Sequence, residues 1–471
     1  MIFKKLTQNK VVKNFSYLTL GSIVSQLLML FTIIKITNVL STDDYGVYSF
    51  IIAQGMLLIT ISELGSKPII IRTIAREPTQ SKDIVINGSK LRLITIIVIV
   101  LIYLIYNHFL GSLSLGQLWL LGTYTLVNSI FYLIEDIFLG HQKMYYPSLI
   151  KSGINLLYFL VVMLLPISLF SIDNLLLSYV FVSTIQTILY YYLLKKEKLL
   201  IGKRSNFIYS SKNLIIKSWP YLALMLLSLP MLHMANNLLD INSSKEEVGY
   251  FNLAKKLMGP VQLIITFSLT AIFPNISAMF IKDTEKFKML ISKGIHIFIG
   301  LTALFCFSFT LFSHDIVLLV FSDKYLPAIK VVQLQVWFLF LNGINHFIVI
   351  IFGAANREKQ IYKLALVNLI ISAPFLYYGS LYGALGISYG FIASFAIFEF
   401  YIWYQFKRKI NLSISHEKIT WLISIFLFSI SYFMSNTPLY QKAILVIVFG
   451  GLYSRFLFKS FNSLTTYKVE K

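Results

Sequence analysis

Long apolar runs alternate with short polar or basic segments along the whole chain, and each run is long enough to cross a bilayer as a helix. A spanning helix needs roughly 20 mostly apolar residues, because hydrocarbon offers no partner to an unpaired backbone N–H or C=O. The pattern predicts spans at residues 15–37, 46–64, 91–110, 117–139, 149–170, 174–194 and 218–239. A second set follows at 250–280, 293–313, 329–353, 361–381, 386–406, 419–435 and 440–458. The expected fold class is all-α integral membrane with about fourteen transmembrane helices. The first run follows Lys4, Lys5, Lys10 and Lys13, as in a signal peptide, but it is too long and Lys35 to Leu40 offers no small-residue cleavage site. It reads as an uncleaved first span.

The polar segments give the orientation. With the N-terminus inside, every Lys and Arg except Lys35, Lys245, Lys255, Lys256, Lys324, Lys330 and Lys442 falls in or beside a segment on the inner side. Lysine and arginine concentrate in short cytoplasmic loops, so both termini are expected in the cytoplasm. Two of the inner segments, 65–90 and 195–217, are longer and basic. In the first, Ile69, Ile70, Ile71 and Ile74 interleave with Lys67, Arg72 and Arg76, a pattern that suits a helix lying at headgroup level.

An internal repeat emerges when the second span is set against the eighth. Asp44-Tyr45-Gly46-Val47-Tyr48-Ser49 matches Glu247-Val248-Gly249-Tyr250-Phe251-Asn252 in the order acid, any, glycine, any, aromatic, small polar. An offset of six helices preserves direction through the membrane, so the expectation is two six-helix lobes in parallel repeat plus two C-terminal helices. The lobes fall at 1–200 and 201–410, with two additional helices and a cytoplasmic tail in 411–471. A cleft between two similar lobes suits a transporter better than an enzyme.

Composition agrees: 57% of the residues are hydrophobic and 13% charged, more apolar surface than one soluble core could bury. The formal charge of +21 serves topology here and does not call for nucleic acid. The single cysteine, Cys306, rules out an intrachain disulfide and a cysteine metal site. There is no Gly-x-x-x-x-Gly-Lys-Ser/Thr loop and no His-Glu-x-x-His, which argues against ATP hydrolysis or metalloenzyme chemistry in this chain.

Taken in order, these segments resemble the polysaccharide-exporter branch of the multidrug/oligosaccharidyl-lipid/polysaccharide flippase superfamily, which contains flippases for O-antigen and capsule repeat units. The resemblance runs from Leu18 to Arg408. It is carried by Val39-Leu40-Ser41, Asp44 to Tyr48, Glu63-Leu64-Gly65, Arg72 to Arg76, Glu247 to Ala254 and Lys256-Leu257. It continues through Phe273 to Ser277, Val320 to Tyr325, Gly353 to Lys359 and Tyr382 to Gly386. It implies translocation of a polyprenyl-diphosphate-linked oligosaccharide across a bacterial inner membrane by alternating access, in O-antigen, lipopolysaccharide or capsule biosynthesis. The implied partners are the lipid-linked oligosaccharide, the bilayer and the polysaccharide polymerase machinery. No cofactor is expected beyond coupling to H+ or Na+. Relatives often carry an Asp near the outer end of the seventh span, where this chain has Asn236-Asn237 and reaches an acid at Asp240.

Charges inside spans are the candidates for function, since each costs at least ~2.5–3.5 kcal/mol to insert at the bilayer centre. Lys35, Lys255 and Lys256 lie in the outer parts of the first and eighth spans and would form a cationic cluster suited to a diphosphate, with snorkelling to the outer headgroups as the alternative for Lys35. Gln26, His233, Asn236, Asn237 and Gln262 could hydrogen-bond sugar hydroxyls, with interhelical bonding as the alternative. Glu63, Asp240 and Glu399 are the candidates for ion coupling. Glu63 and the pair Glu135 and Asp136 could equally cap helix ends or pair with loop cations. Three competing readings stand beside the flippase: a multidrug or cation exporter of the same superfamily, which would favour an acidic cavity; a membrane glycosyltransferase or polymerase, which would need a larger outer loop; and a lipid II flippase, separated only by substrate.

Overall fold

The computed structural model describes residues 10–111, 113–203, 205–355, 357–410 and 417–465, and no strand occurs among them. Lys4, Lys5 and the end of the cytoplasmic tail lie outside the described residues. The helices are α1 (Lys10–Val39), α2 (Thr42–Ser62), α3 (Lys67–Arg76), α4 (Ser81–Leu110), α5 (Leu115–Gly140), α6 (Tyr145–Leu164), α7 (Ile172–Lys196) and α8 (Phe207–Asn242). They continue as α9 (Lys245–Lys282), α10 (Thr284–Val320), α11 (Ala328–Ala354), α12 (Glu358–Ser380), α13 (Gly383–Ile410), α14 (Glu417–Phe433) and α15 (Leu439–Thr465).

Eleven helices among the described residues are long and apolar enough to cross a membrane, and shorter apolar stretches fall in α14 and α15. With α9 in the eighth place, every expected span has a helix. The outer face of α4 shows why lipid is the solvent: Ile94, Ile97, Val98, Leu101, Ile102 and Ile105 are all exposed and recur at helical spacing.

Several helices begin well before their apolar runs. Three start about two to three turns early, at Ser81, Phe207 and Thr284 instead of residues 91, 218 and 293. For the two that start at Phe207 and Thr284 the reason is capping. Asn206 accepts from the Ile208 N–H at 2.9 Å and Asp283 from that of Lys286 at 3.0 Å, so the polar leading turns have satisfied ends. Pro220 and Pro230 lie inside α8 and Pro374 inside α12, within continuous helices.

By packing, the chain divides after Gly249 into two compact units. In the first, α5 is the central helix and packs on α2, α3, α4, α6 and α7, while α1 packs on α6. In the second, α10 packs on α11, α14 and α15, and α13 on α11 and α12. Lys442 of α15 is 1% exposed and meets Asp315 of α10 at 2.6 Å. Three neighbour pairs of the first unit, α4 with α5, α5 with α7 and α6 with α7, recur six spans later as α10 with α11, α11 with α13 and α12 with α13.

The short helix α3 differs from its expected setting. Ile69, Ile70 and Ile74 are buried, α3 packs on α5 and α8, and Arg72 and Arg76 are exposed, so protein and not lipid covers the apolar face. The turn before it, within Glu63-Leu64-Gly65, places Leu64 at φ 50° and Gly65 at φ 66°. A side chain at Gly65 would also meet the Leu222 backbone nitrogen of α8 at 2.4 Å, so glycine is required twice over.

The repeated motif marks a close helix approach within the first unit. Ser41 caps α2 by accepting from the Asp44 N–H at 3.0 Å, and Thr42 donates to Glu246 at 2.8 Å. A Cβ on Gly46 would lie 1.8 Å from the Lys245 carbonyl oxygen, and one on Gly249 would lie 3.3 Å from Gly46 Cα. The two motif glycines therefore face each other. Gly46→Ala should lower the melting temperature of the purified protein by several degrees, since backbone must move to admit a methyl. Gly153→Ala, with nothing within 4 Å of the added carbon, should be neutral or stabilising by up to ~1 kcal/mol. Equal melting temperatures for wild type and Gly46→Ala would contradict the close approach.

Candidate functional site

A polar stripe runs between α2 and α8 in the first unit. Gln54 is 1% exposed and donates from Nε2 to Asn237 Oδ1 at 2.8 Å; Asn237 donates in turn to the His233 carbonyl at 3.4 Å. Asn236, on the next position of α8, is 2% exposed. Near the end of α8, Asp240 accepts a hydrogen bond from the Lys245 ammonium, and that ammonium lies 4.7 Å from the Phe50 ring centroid. The Asp240 side chain is 1% exposed, so this ion pair is desolvated. The sequence singled out His233, Asn236, Asn237 and Asp240 but not Gln54, Phe50 or Lys245. Gln54 met the same criterion as the others, a polar side chain inside an apolar run.

Gln26 and Lys35 lie half-buried on α1. That helix is fastened to α6 by Ser152, which donates to the Gly21 carbonyl at 2.9 Å, and by Asn155, which donates to that of Ser25 at 3.3 Å. Lys35 makes no hydrogen bond or ion pair among the described residues that would neutralise it. Lys255, Lys256 and Gln262 belong to the second unit. Lys255 is exposed, with its ammonium 5.4 Å from the Phe251 ring centroid; Lys256 is half-buried and Gln262 exposed. Glu399 of α13 is 4% exposed, and neither of its carboxylate oxygens has a hydrogen bond among the described residues, the Trp403 indole lying one turn on. A carboxyl so placed has little to support its charge.

Glu63 sits elsewhere, in a buried charge cluster of the first unit. Asp136 is wholly buried, with Lys67 Nζ at 3.5 Å and Arg92 Nη2 at 3.8 Å. Arg92, 3% exposed, also donates to the Ser129 carbonyl, and Ser129 Oγ meets Ser62 Oγ at 2.7 Å. Glu63 ends α2 and lines a water-sized cavity of about 10 Å³ together with Arg92 and Ser218. Burial disfavours the Lys67 ammonium, but Asp136, Glu135 and Glu63 outweigh it and hold its pKa above the ordinary lysine value. The pairing of this acidic group with a loop cation matches one of the two structural alternatives raised for it. Arg92 as the second partner was hidden, because it reads as the basic edge of an apolar run. Among the described residues no group of three or more His, Cys, Asp or Glu could hold a metal ion.

Long helices with lipid-facing surfaces, a recurring neighbour pattern and polar groups held inside the bundle define an all-α polytopic membrane fold. The family model described as polysaccharide biosynthesis protein matches residues 11–280, and the chain belongs to that family. Among solved structures, the lipid II flippase MurJ in an inward closed conformation is similar with a TM-score of 0.74 and 16% identity, over 96% of this chain and 99% of that one. An outward-facing multidrug resistance MATE family transporter of the MOP superfamily gives 0.59 at 14% identity, over 85% and 96%. A MOP superfamily transporter from Pyrococcus furiosus, described as having a binding pocket of reverse polarity, gives 0.58 at 15% identity, over 85% and 96%. No curated protein matches the chain in sequence.

Removing one partner of a buried ion pair costs about 3–5 kcal/mol, whereas replacing both by apolar groups is often close to neutral. Arg92→Leu should therefore unfold at a markedly lower temperature than wild type, and Arg92→Met/Asp136→Leu should recover most of the loss. Thermal unfolding in one detergent reads both, and a double variant as unstable as the single one would refute the coupling.

Proposed function

We propose that this protein is a flippase that carries a polyprenyl-diphosphate-linked oligosaccharide repeat unit from the cytoplasmic to the outer leaflet of a bacterial inner membrane. The observation that carries this reading is membership in the polysaccharide biosynthesis family on a fold shared with MurJ over nearly the whole chain. In this reading the lobes at 1–200 and 201–410 open alternately to either side, and the prenyl tail stays in lipid while the headgroup crosses. The product feeds O-antigen, capsule or related surface polysaccharide synthesis, with the polymerase machinery downstream and both termini in the cytoplasm. The chain acts as a transporter and not as an enzyme.

Lys35, Lys255 and Lys256 are the residues assigned to the diphosphate. A diphosphate leaving water needs cations, and charge-assisted hydrogen bonds are about twice as strong as neutral ones. Lysine holds phosphate as a point charge without enforcing one geometry, which suits a cargo that must be released. Gln26, His233, Asn236 and Gln262 are assigned to sugar hydroxyls; Asn237 joins them at the cost of its bond from Gln54. Of the acids, Glu399 is the better candidate for coupling to H+ or Na+, since Asp240 has the Lys245 cation as partner and Glu63 sits in the Asp136 cluster. The MATE likenesses favour a second reading, a cation exporter, which requires an acidic path; the unneutralised Lys35 speaks against it.

Transfer across proteoliposomes separates the readings. Wild type should move a polyprenyl-diphosphate oligosaccharide, while Lys35→Ala and Lys255→Ala/Lys256→Ala should each slow it at least tenfold with folding preserved. Unchanged transfer in those variants would remove the lysines from the site. Transport of organic cations in place of the glycolipid would move the protein to the exporter class, and transfer restricted to lipid II would reassign the substrate. Glu399→Gln should abolish any acceleration by an imposed proton or sodium gradient, and retained acceleration would clear Glu399 of a coupling role.

A further inference from the structure

Three acids and two bases meet where α2, α3, α4 and α5 come together in the first unit. The acids are Glu63 at the end of α2 and the neighbours Glu135 and Asp136 on α5; the bases are Lys67 of α3 and Arg92 of α4. Asp136 takes both bases: its side chain is wholly buried, with Lys67 Nζ at 3.5 Å and Arg92 Nη2 at 3.8 Å. Glu135 takes neither. It is 8% exposed and makes no hydrogen bond or ion pair among the described residues.

The five side chains behave as one group, because Glu63 acts on Lys67, Arg92 and Asp136, and Glu135 acts on Lys67 and Asp136. The elements around α5 bring no further charge to it. Tyr132 on α5, with the Lys67 ammonium 5.9 Å from its ring centroid, and Tyr190 on α7, whose hydroxyl donates to the Pro147 carbonyl at 3.2 Å, are tyrosines, uncharged at ordinary pH. Tyr146 of α6 donates to Glu197 at 2.6 Å, the acid that also holds Lys143, while Arg72, Arg76 and Lys90 are exposed.

Three acids against two bases leave one negative charge over. Like charges crowded into a buried site disfavour full ionisation, and in so coupled a group the neutralising proton belongs to the set and not to one carboxyl. A metal ion does not fit, since no group of three or more His, Cys, Asp or Glu among the described residues could hold one. Water has a way in, because the Lys67 side chain is 41% exposed and Glu63 is half-buried. We propose that this cluster binds one exchangeable proton, which brings its charges to neutrality and gives the first unit a proton site of its own. The site is separate from Glu399 and holds whatever the cargo.

The test is infrared spectroscopy of the full-length protein in liposomes through a pH titration, reading the carbonyl band of a protonated carboxyl. Glu399→Gln serves as the background and removes the carboxyl buried in α13. There, one protonated carboxyl should titrate away as the pH rises. Shared charge balance makes the sharper prediction: Glu135→Gln and, separately, Glu63→Gln should each abolish the band, because either leaves two acids for two bases. Lys67→Met should shift the titration to higher pH, and Lys67→Arg should leave it in place, with thermal unfolding confirming that each variant is folded. No such band in the background, a band that survives Glu63→Gln, or an unmoved titration in Lys67→Met would each overturn the proposal.

Discussion

A backbone that crosses hydrocarbon must satisfy its own hydrogen bonds, and in this chain that demand settles the architecture before any side chain is considered. Helices are the only element among the described residues, and their lengths exceed the apolar runs because the polar leading turns continue the same bond ladder. What remains to be specified is which helix meets which. Water does not drive that choice inside a bilayer; close backbone approach and polar bonds between helices do. The Gly46 and Gly249 contact is the first kind, and the Gln54 to Asn237 bond is the second.

Charge follows the same logic. Asp136 has Lys67 and Arg92, Asp240 has Lys245, and Asp315 has Lys442, each partner coming from another helix. Such pairs add little net stability over apolar packing, yet each makes one arrangement of helices much better than its neighbours, since a slipped helix would strand a buried charge. Lys35, Lys256 and Glu399 break the pattern: none of them has an ion pair among the described residues, and neither carboxylate oxygen of Glu399 has a hydrogen bond there. Groups left unbalanced in an otherwise balanced interior are where a charged cargo or a coupling ion would gain most.

The number and order of spans were legible because each needs only a run of apolar residues, a local property. The capping that starts α8 at Asn206 and α10 at Asp283 is also local, and a search for cap residues ahead of each run would have found it. The setting of α3 was not legible: an apolar stripe of isoleucines has the same periodicity whether lipid or α5 covers it. Nor was the partner of a buried charge. Arg92 and Asp136 lie 44 positions apart in the numbering, and nothing in either run names the other.

The internal repeat joins these points. A six-residue match between two biased segments is weak evidence alone, but its glycines turn out to lie against each other, where a side chain at Gly46 would collide with the Lys245 backbone and one at Gly249 would be tightly crowded. The acid, the glycine and the small polar residue are therefore kept for separate physical reasons: Asp44 completes a cap with Ser41, Gly46 admits the neighbouring helix, and Ser49 bonds back to the Gly46 carbonyl at 3.0 Å. Three recurring neighbour pairs extend the repeat from a motif to a packing scheme. The contact at the motif is thus made by short backbone segments instead of interlocked side chains.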